Sequence, residues 1–466
     1  MKKTAPPSAL GALSNAAESG DSATSAATTG SLGAAVAEAD LGSLLTPPAG
    51  MRDLLPPESR ARRKVSEQLQ NVFEGYGYEL VTAPLFERVE VFERGLTLDP
   101  RDLVRFVEPD SGDIVALRPD MTPQIARVVA TRLNELPPPF RIRYEGTLVR
   151  RRRGRARRQR QIAQVGIELI GLAGAEADAE VVRSTAEACR AAGLTDFRIE
   201  LSEVGVGRAL LSEHGEHLFL QAADALAQKD EARLLALLET AGVPHEARDR
   251  IARLLHLHGD LSVLAEARKL VAGTAAAVHL DNLERVAELL FDAGLGDRVG
   301  VDLGEVRGAG YYTGVSFALF ARGPGEALAS GGRYDQLLSR YGRALPATGA
   351  AIDVENLLWA LDHAGLAWRE RQALRFVVAG EEAARVRRTA EVLRARGLAA
   401  ATLPSASADV AREYATAWAL DCCLVVREGS SLAFRSADKQ QRELAGELSP
   451  SDIDALLAWA RAAQKE

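Results

Sequence analysis

Two strand-like runs, FRIRYEGTLVRR from Phe140 and RQIAQVGIELIG ending at Gly171, are separated by little more than a cluster of arginines. The chain must therefore turn back on itself as a hairpin, with the arginines at its tip. Of the twelve residues from Val149 to Arg160, eight are arginine, although the whole chain carries a formal net charge of −7. Like charges packed this densely repel, so the loop stays extended until an anion arrives. Four readings follow: a nucleic-acid clamp, a phosphate-binding loop, a docking surface for a partner protein, or a solvated loop. The loop holds no aromatic residue, so stacking on bases is not available to it. Nucleic-acid binding through it would be salt-sensitive and unspecific.

The rest of the chain narrows the choice. At 466 residues, 47% hydrophobic and 26% charged, it has the composition of a soluble globular protein of two or three domains. No apolar run reaches the roughly 20 residues needed to span a bilayer. The opening lysines are followed by no apolar core segment, so a secretory signal is not expected. Cys189, Cys422 and Cys423 make neither a disulfide framework nor a metal spacing, which points to the reducing cytoplasm. His256 and His258 point to different helix faces, and His214 and His217 read as a solvated surface. No metal and no cofactor are expected.

Residues 1–48 are rich in Ala, Ser, Gly and Thr and lack aromatics, so they read as a disordered extension. Residues 49–370 read as one domain. Val65, Leu69, Val72 and Phe73 have helical spacing. YELVTAP is a strand limited by Pro84, and DIVALRPDMTPQIARVVATRL is strand, turn and helix. FRIEL is a further strand. From about 206 to 297, Leu- and Ala-rich runs predict an all-helical insertion. Strands return in RVGVDLGEV, GYYTGVSFALF and PATGAAID. Residues 371–466 show a βαβαββ pattern, a small α/β domain.

Three groups carry chemistry: RPDMT (Arg118–Thr122), the arginine loop with QVGIE ending at Glu168, and VRGAGYYTG (Val306–Gly314) with ASGGRYDQLL. Together, and in this order, they resemble the catalytic domain of histidyl-tRNA synthetases, a class II aminoacyl-tRNA synthetase family. GMRDLLP resembles the start of the first motif, and the arginine hairpin resembles the second. VRGAGYY and GGRYD resemble the paired histidine-binding signatures. The resemblance covers roughly residues 49–362. It implies an α+β fold: a mixed, mostly antiparallel sheet flanked by helices, a helical insertion, and a small C-terminal α/β domain. It also implies a dimer formed through the first motif.

The departures fall in the ATP site. Arg150 matches the arginine that holds the α-phosphate, but Arg152 stands where the family has glutamate. In the third motif Asp353 replaces a glycine, and Asn356 stands where an arginine clamps the γ-phosphate. Phosphate clamps work by fixed positive charge, and one lost donor costs on the order of 10²–10³ in rate. The amino-acid pocket departs less. By resemblance Asp120 pairs the α-ammonium, Gln164 and Glu168 contact the bound histidine, and Arg307 faces its carboxylate. Thr122 belongs to the same pocket. Tyr311, Tyr312 and Tyr334 supply aromatic walls and hydroxyls, while Gly310 replaces an aspartate. Glu168 suits an imidazole, whose ring N–H groups need an acceptor.

Each assignment has a structural alternative. Asp120 could only cap the helix starting near Thr122, and Glu168 could pair with a surface arginine. Arg307 could bridge to Glu305 or Asp302, and the tyrosines could be core. A histidine pocket without an ATP site resembles the regulatory subunits of ATP phosphoribosyltransferase. That resemblance implies no catalysis by this chain and a short-form catalytic subunit as partner. It further implies a hetero-octamer built on a homodimer core, and inhibition by histidine of the first step of histidine biosynthesis. Arg150, Arg152, Arg158 and Arg160 would then face anions or the partner. A working histidyl-tRNA synthetase and a stand-alone histidine or RNA sensor are the rivals.

Overall fold

The computed structural model describes residues 45–95, 102–150, 159–215, 217–305, 310–366, 374–404, 406–445 and 448–462. Nearly all of the expected disordered extension lies outside them. The first helix, α1 (Glu58–Gly75), buries Val65, Leu69 and Phe73 on one stripe, as their spacing predicts. The chain continues through β1 (Glu79–Leu80), β2 (Phe86–Arg88), α2 (Val89–Gly95), β3 (Arg105–Val107), β4 (Ile114–Leu117) and α3 (Thr122–Thr131). YELVTAP yields only the two paired residues of β1, since Pro84 has no N–H to continue a ladder. The hairpin strands are β5 (Phe140–Val149) and β6 (Gln161–Ile170), antiparallel along their full length.

After α4 (Ala175–Ala191) and β7 (Arg198–Glu203) come α5 (Val204–Ser212), α6 (Leu218–Ala227), α7 (Glu231–Thr240) and α8 (His245–Arg253). β8 (His258–Gly259), α9 (Val263–Val271), α10 (Ala277–Asp292) and β9 (Val299–Asp302) complete this stretch. It is helical as expected, with one exception. His258 and Gly259 pair with Asp302 and Val301 and extend the large sheet. Nor does it build a separate core: Leu218, Leu234, Leu254 and Leu280 join the same apolar cluster as Leu201 and Phe317 of the sheet.

Then follow β10 (Val315–Phe320), β11 (Ala329–Arg333), β12 (Ala347–Asp353) and α11 (Val354–His363). The nine-stranded sheet has the order β1-β5-β6-β12-β11-β10-β7-β9-β8. Only β1–β5 and β7–β9 are parallel pairs. The mixed, mostly antiparallel sheet and its flanking helices are thus as expected. β11 is not expected from sequence. Its ASGGR lacks apolar alternation, and pairing on both edges makes it a strand.

The C-terminal unit has its own five-stranded sheet, ordered β14-β13-β15-β16-β17. Its elements are β13 (Arg375–Gly380), α12 (Ala383–Ala395), β14 (Ala399–Pro404), α13 (Ala408–Ala417), β15 (Cys422–Arg427), β16 (Ser430–Arg435), β17 (Gln441–Ala445) and α14 (Pro450–Ala462). β17 and α14 extend the expected βαβαββ pattern. Phe376, Val378, Leu393, Leu424 and Leu456 form a core on one face of this sheet. Cys189, Cys422 and Cys423 are all buried free thiols.

Candidate functional site

The site lies on the face of the large sheet shared by β5, β6 and β12. Side chains alternate along a strand, so Gln164 and Glu168 of β6 point to one face, while Val165, Ile167 and Leu169 pack against the helices. The register places Tyr144 opposite Gly166. Gly349 lies opposite Glu168, and Asp353 opposite Gln164. Gly349 is required: a Cβ there would sit 1.8 Å from Oε2 of Glu168.

Glu168 is only 1% exposed. Its Oε1 accepts the Tyr144 hydroxyl at 3.3 Å. The Tyr334 hydroxyl donates to its Oε2, and the Thr122 hydroxyl also donates to the carboxyl. Burial pushes this carboxyl up to about 8, because an ion in a dry site loses its hydration. The three hydroxyls pull the other way and Asp120 adds to the rise. Burial and the neighbouring carboxylate drive Tyr144 and Tyr334 well above the ordinary phenol range, so both remain donors. Among the described residues, Glu168 is held by tyrosine hydroxyls and no surface arginine pairs with it.

The strand-to-helix turn of RPDMT forms one wall. Arg118 is buried, and its guanidinium donates to the carbonyls of Thr147, Ala83 and Pro84. It thereby ties β4 to β5 and fixes the turn that follows. Asp120 does two local jobs. Its Oδ1 accepts the Thr122 N–H at 3.1 Å, and its Oδ2 meets Nη2 of Arg150 at 2.8 Å. Arg150 also donates to the Pro119 carbonyl. The N-cap position of α3 is Met121, which makes no side-chain cap bond, so Asp120 acts one residue earlier by accepting the first helical N–H, and Arg150 faces inward rather than joining a solvated tip.

Tyr311 and Tyr334 rings lie 5.2 Å apart, and Tyr311 and Tyr312 rings 5.1 Å apart at 82°. Tyr311 and Tyr312 pack against the same cluster that holds Met121, Ile125 and Tyr144. They serve as core and as site wall at once. Gln164 is 8% exposed, and its Oε1 has no hydrogen-bond partner among the described residues. A buried acceptor left open is a cost that a ligand donor removes. Asp120, Thr122, Glu168, Tyr311 and Tyr334 therefore come together, with Gln164 two strand repeats away on the same face. Arg160 sits at the hairpin base, where its carbonyl accepts the Arg150 N–H at 2.9 Å. Arg152, Arg158 and Arg307 lie outside the described residues.

The third-motif positions are occupied by the fold itself. Asp353 caps α11, its Oδ1 accepting the Asn356 N–H at 3.0 Å. Asn356 is 2% exposed and donates through Nδ2 to the Ala327 carbonyl. In GGRYD, Arg333 points away from the site. It forms a buried two-pronged ion pair with Asp178 of α4, at 3.1 and 2.8 Å. Tyr144 and Arg118 went unassigned in the sequence. Tyr144 was accessible by strand parity once its pairing with Gly166 was known; for Arg118 the signal was its place in RPDMT.

This fold, with a glycine-floored antiparallel sheet and a buried carboxyl ringed by tyrosines, defines a class II synthetase-type domain. A family model described as "Histidyl-tRNA synthetase" matches residues 50–357. Over 324 residues the chain is 44% identical to the ATP phosphoribosyltransferase regulatory subunit of Anaeromyxobacter sp. (strain Fw109-5), which covers 69% of this chain and 94% of that protein. The protein of the same name from Moorella thermoacetica is 38% identical over 355 residues, 76% of this chain and 90% of that one. Among solved structures, an ATP phosphoribosyltransferase regulatory subunit/histidyl-tRNA synthetase from Bacillus halodurans is similar with a TM-score of 0.70 and 29% identity, covering 79% and 95% of the two chains. Histidyl-tRNA synthetase from Nostoc sp. PCC 7120, at 22% identity and a TM-score of 0.72, shares the fold. The chain belongs to the family of ATP phosphoribosyltransferase regulatory subunits.

Proposed function

We propose that this chain is the non-catalytic regulatory subunit of an ATP phosphoribosyltransferase, acting in the cytoplasm on histidine biosynthesis. One observation carries the reading beyond family membership. Glu168 is buried among the Tyr144 and Tyr334 hydroxyls, an arrangement that supports an imidazole site, while the positions matched to the phosphate end, Asp353 and Asn356, are spent on capping and on the Ala327 carbonyl. Histidine would present an imidazole N–H to Glu168 and its ammonium to Asp120, with Arg307 facing its carboxylate. Gln164 Oε1 is placed to accept a further donor.

The partner in this reading is a short-form catalytic subunit, in a hetero-octamer built on a homodimer of this chain. The small sheet β2-β4-β3 supports the homodimer. Phe86 and Phe106 meet edge to face on one face of it, at 5.4 Å, and stand 43% and 40% exposed, while Val107 and Ile114, also exposed, pair on the other face. Exposed apolar side chains on a small sheet support an association surface there.

Reconstitution tests the function. The purified chain is mixed with a short-form ATP phosphoribosyltransferase from the same source, and phosphoribosyl-ATP formation is followed with and without histidine. Activity that needs both chains and falls with histidine is expected. Histidine-dependent ATP–pyrophosphate exchange by the chain alone would instead establish a synthetase.

A further inference from the structure

The loop joining β9 to β10 carries Arg307, Tyr311 and Tyr312, and its two described flanks are both held from the helical stretch. On the first flank, Nζ of Lys229, in the turn between α6 and α7, lies 2.5 Å from Oδ1 of Asp302. The same oxygen accepts the Gly304 N–H at 3.0 Å. The Leu303 N–H donates to the Leu257 carbonyl at 3.0 Å. Gly304 comes so close to this stretch that a Cβ would sit 2.8 Å from Nζ of Lys229 and 2.9 Å from the Leu254 carbonyl. Carboxylate oxygens of Glu200, Asp302 and Glu305 lie within 4.8 Å of one another, so the Lys229 ammonium also offsets their repulsion.

On the second flank, Nη2 of Arg208 in α5 donates to the Tyr312 carbonyl at 3.0 Å. Its guanidinium lies over the Phe219 ring of α6, 4.7 Å from the centroid, which fixes where that donor can stand. From Tyr312 the contacts run inward: ring to Tyr311, ring to Tyr334, hydroxyl to Glu168. α5, α6, the α6–α7 turn and Leu257 thus hold Asp302, Leu303 and Gly304 on one side, and on the other Tyr312, which packs on Tyr311.

We propose that Arg208 and Lys229 are positioning residues, through which the helical stretch sets the affinity of the Glu168 pocket for its amino-acid ligand. A shift of α5 and α6 then moves Tyr312 and reaches Glu168 through two ring contacts. The inference rests on the reading that this pocket binds histidine.

Calorimetric titration of the full chain with histidine, well below its melting temperature, tests it. Arg208→Gln and Lys229→Gln are each expected to weaken binding about fivefold or more, the low end of ordinary coupling. Arg208→Lys should recover part of the loss. Arg233→Gln, the same charge change on the exposed face of α7, should leave affinity unchanged. A purely packing role would lower the melting temperature of Arg208→Gln and leave affinity at the wild-type value; that result in both variants overturns the proposal. Should Arg208→Gln fail to fold, Lys229→Gln decides alone, since its ammonium is partly exposed, and wild-type affinity there overturns it. A folded wild-type chain that binds no histidine overturns the pocket reading itself, and this proposal with it.

Discussion

Replacing Glu168 with glutamine removes a titratable proton while keeping the side chain's shape, and the consequences can be worked out. The folded chain holds the Glu168 proton up to about pH 8, against an ordinary value of 4.5. The folded state therefore binds this proton more tightly than the unfolded state does. The stabilising contribution is complete below about pH 4.5 and is lost as pH rises through about 8. The full difference corresponds to about 5 kcal/mol as an upper limit, falling at about 1.4 kcal/mol per pH unit in between. Glu168→Gln cannot ionise and loses nothing over that window. Urea unfolding of both proteins at pH 5, 7 and 8.5 isolates the effect, because every other titrating group cancels in the difference. The wild type should lose at least about 2 kcal/mol relative to the variant between pH 5 and pH 8.5. Histidine affinity should move the other way, weakening about 2- to 10-fold in the variant at pH 7, as expected for perturbing a buried hydrogen bond between neutral groups. Parallel pH curves for the two proteins would refute the account of a dry, proton-holding carboxyl, and unchanged affinity would remove Glu168 from the ligand's contacts.

Three further outcomes follow from the same geometry. Gly349→Ala places a methyl against Oε2 of Glu168; it should cost about 1–3 kcal/mol of stability and at least about tenfold in histidine affinity, read by thermal melts and calorimetry. Asp178→Asn breaks the buried pair with Arg333 and strands a cation; unfolding stability should fall by about 3–5 kcal/mol, with a loss under about 1 kcal/mol showing that Arg333 finds adequate partners in Asp335 and the Gly174 carbonyl. Phe106→Glu puts a charge into the exposed Phe86 pair; sedimentation should show the homodimer giving way to monomer, whereas an unshifted dimer would place the interface elsewhere.

Much of this site was legible because strands encode faces. Glu168 and Gln164 lie four apart on a strand that had to pair with its neighbour across the arginine hairpin, so their common face followed from the sequence. The helix after RPDMT and the buried stripe of α1 followed from periodicity. What stayed hidden depended on register and on long-range partners. Tyr144 reaches Glu168 only because it pairs with Gly166, a register no local pattern states. GGRYD reads as one signature, yet alternation divides it: Tyr334 turns to Glu168 and Arg333 to Asp178. Arg208 sits about a hundred residues from the carbonyl it holds, in a helix whose apolar spacing says only that it packs.

The residues matched to the third motif show how phosphate-binding capacity is lost without a change of fold. A helix N-terminus is an anion site because its first N–H groups lack partners and carry the positive end of the dipole. At α11 that role is cancelled from within. Asp353 supplies the cap, so the free N–H at Asn356 is already accepted by a carboxylate, and any phosphate arriving there must displace a negative charge of the chain's own. Asn356 cannot substitute for a clamp, since its amide is turned to the Ala327 carbonyl in a buried position. On the other side Arg150 is drawn to Asp120 and the Pro119 carbonyl, so its charge is partly neutralised before any ligand binds. Catalysis of adenylation requires donors held ready for charge that develops in the transition state. Regulation requires only that a ligand bind one conformation better than another. With the phosphate-end donors satisfied internally, Gln164 Oε1 without a partner among the described residues and Glu168 held protonated to about pH 8, the geometry departs from the first requirement and is compatible with the second.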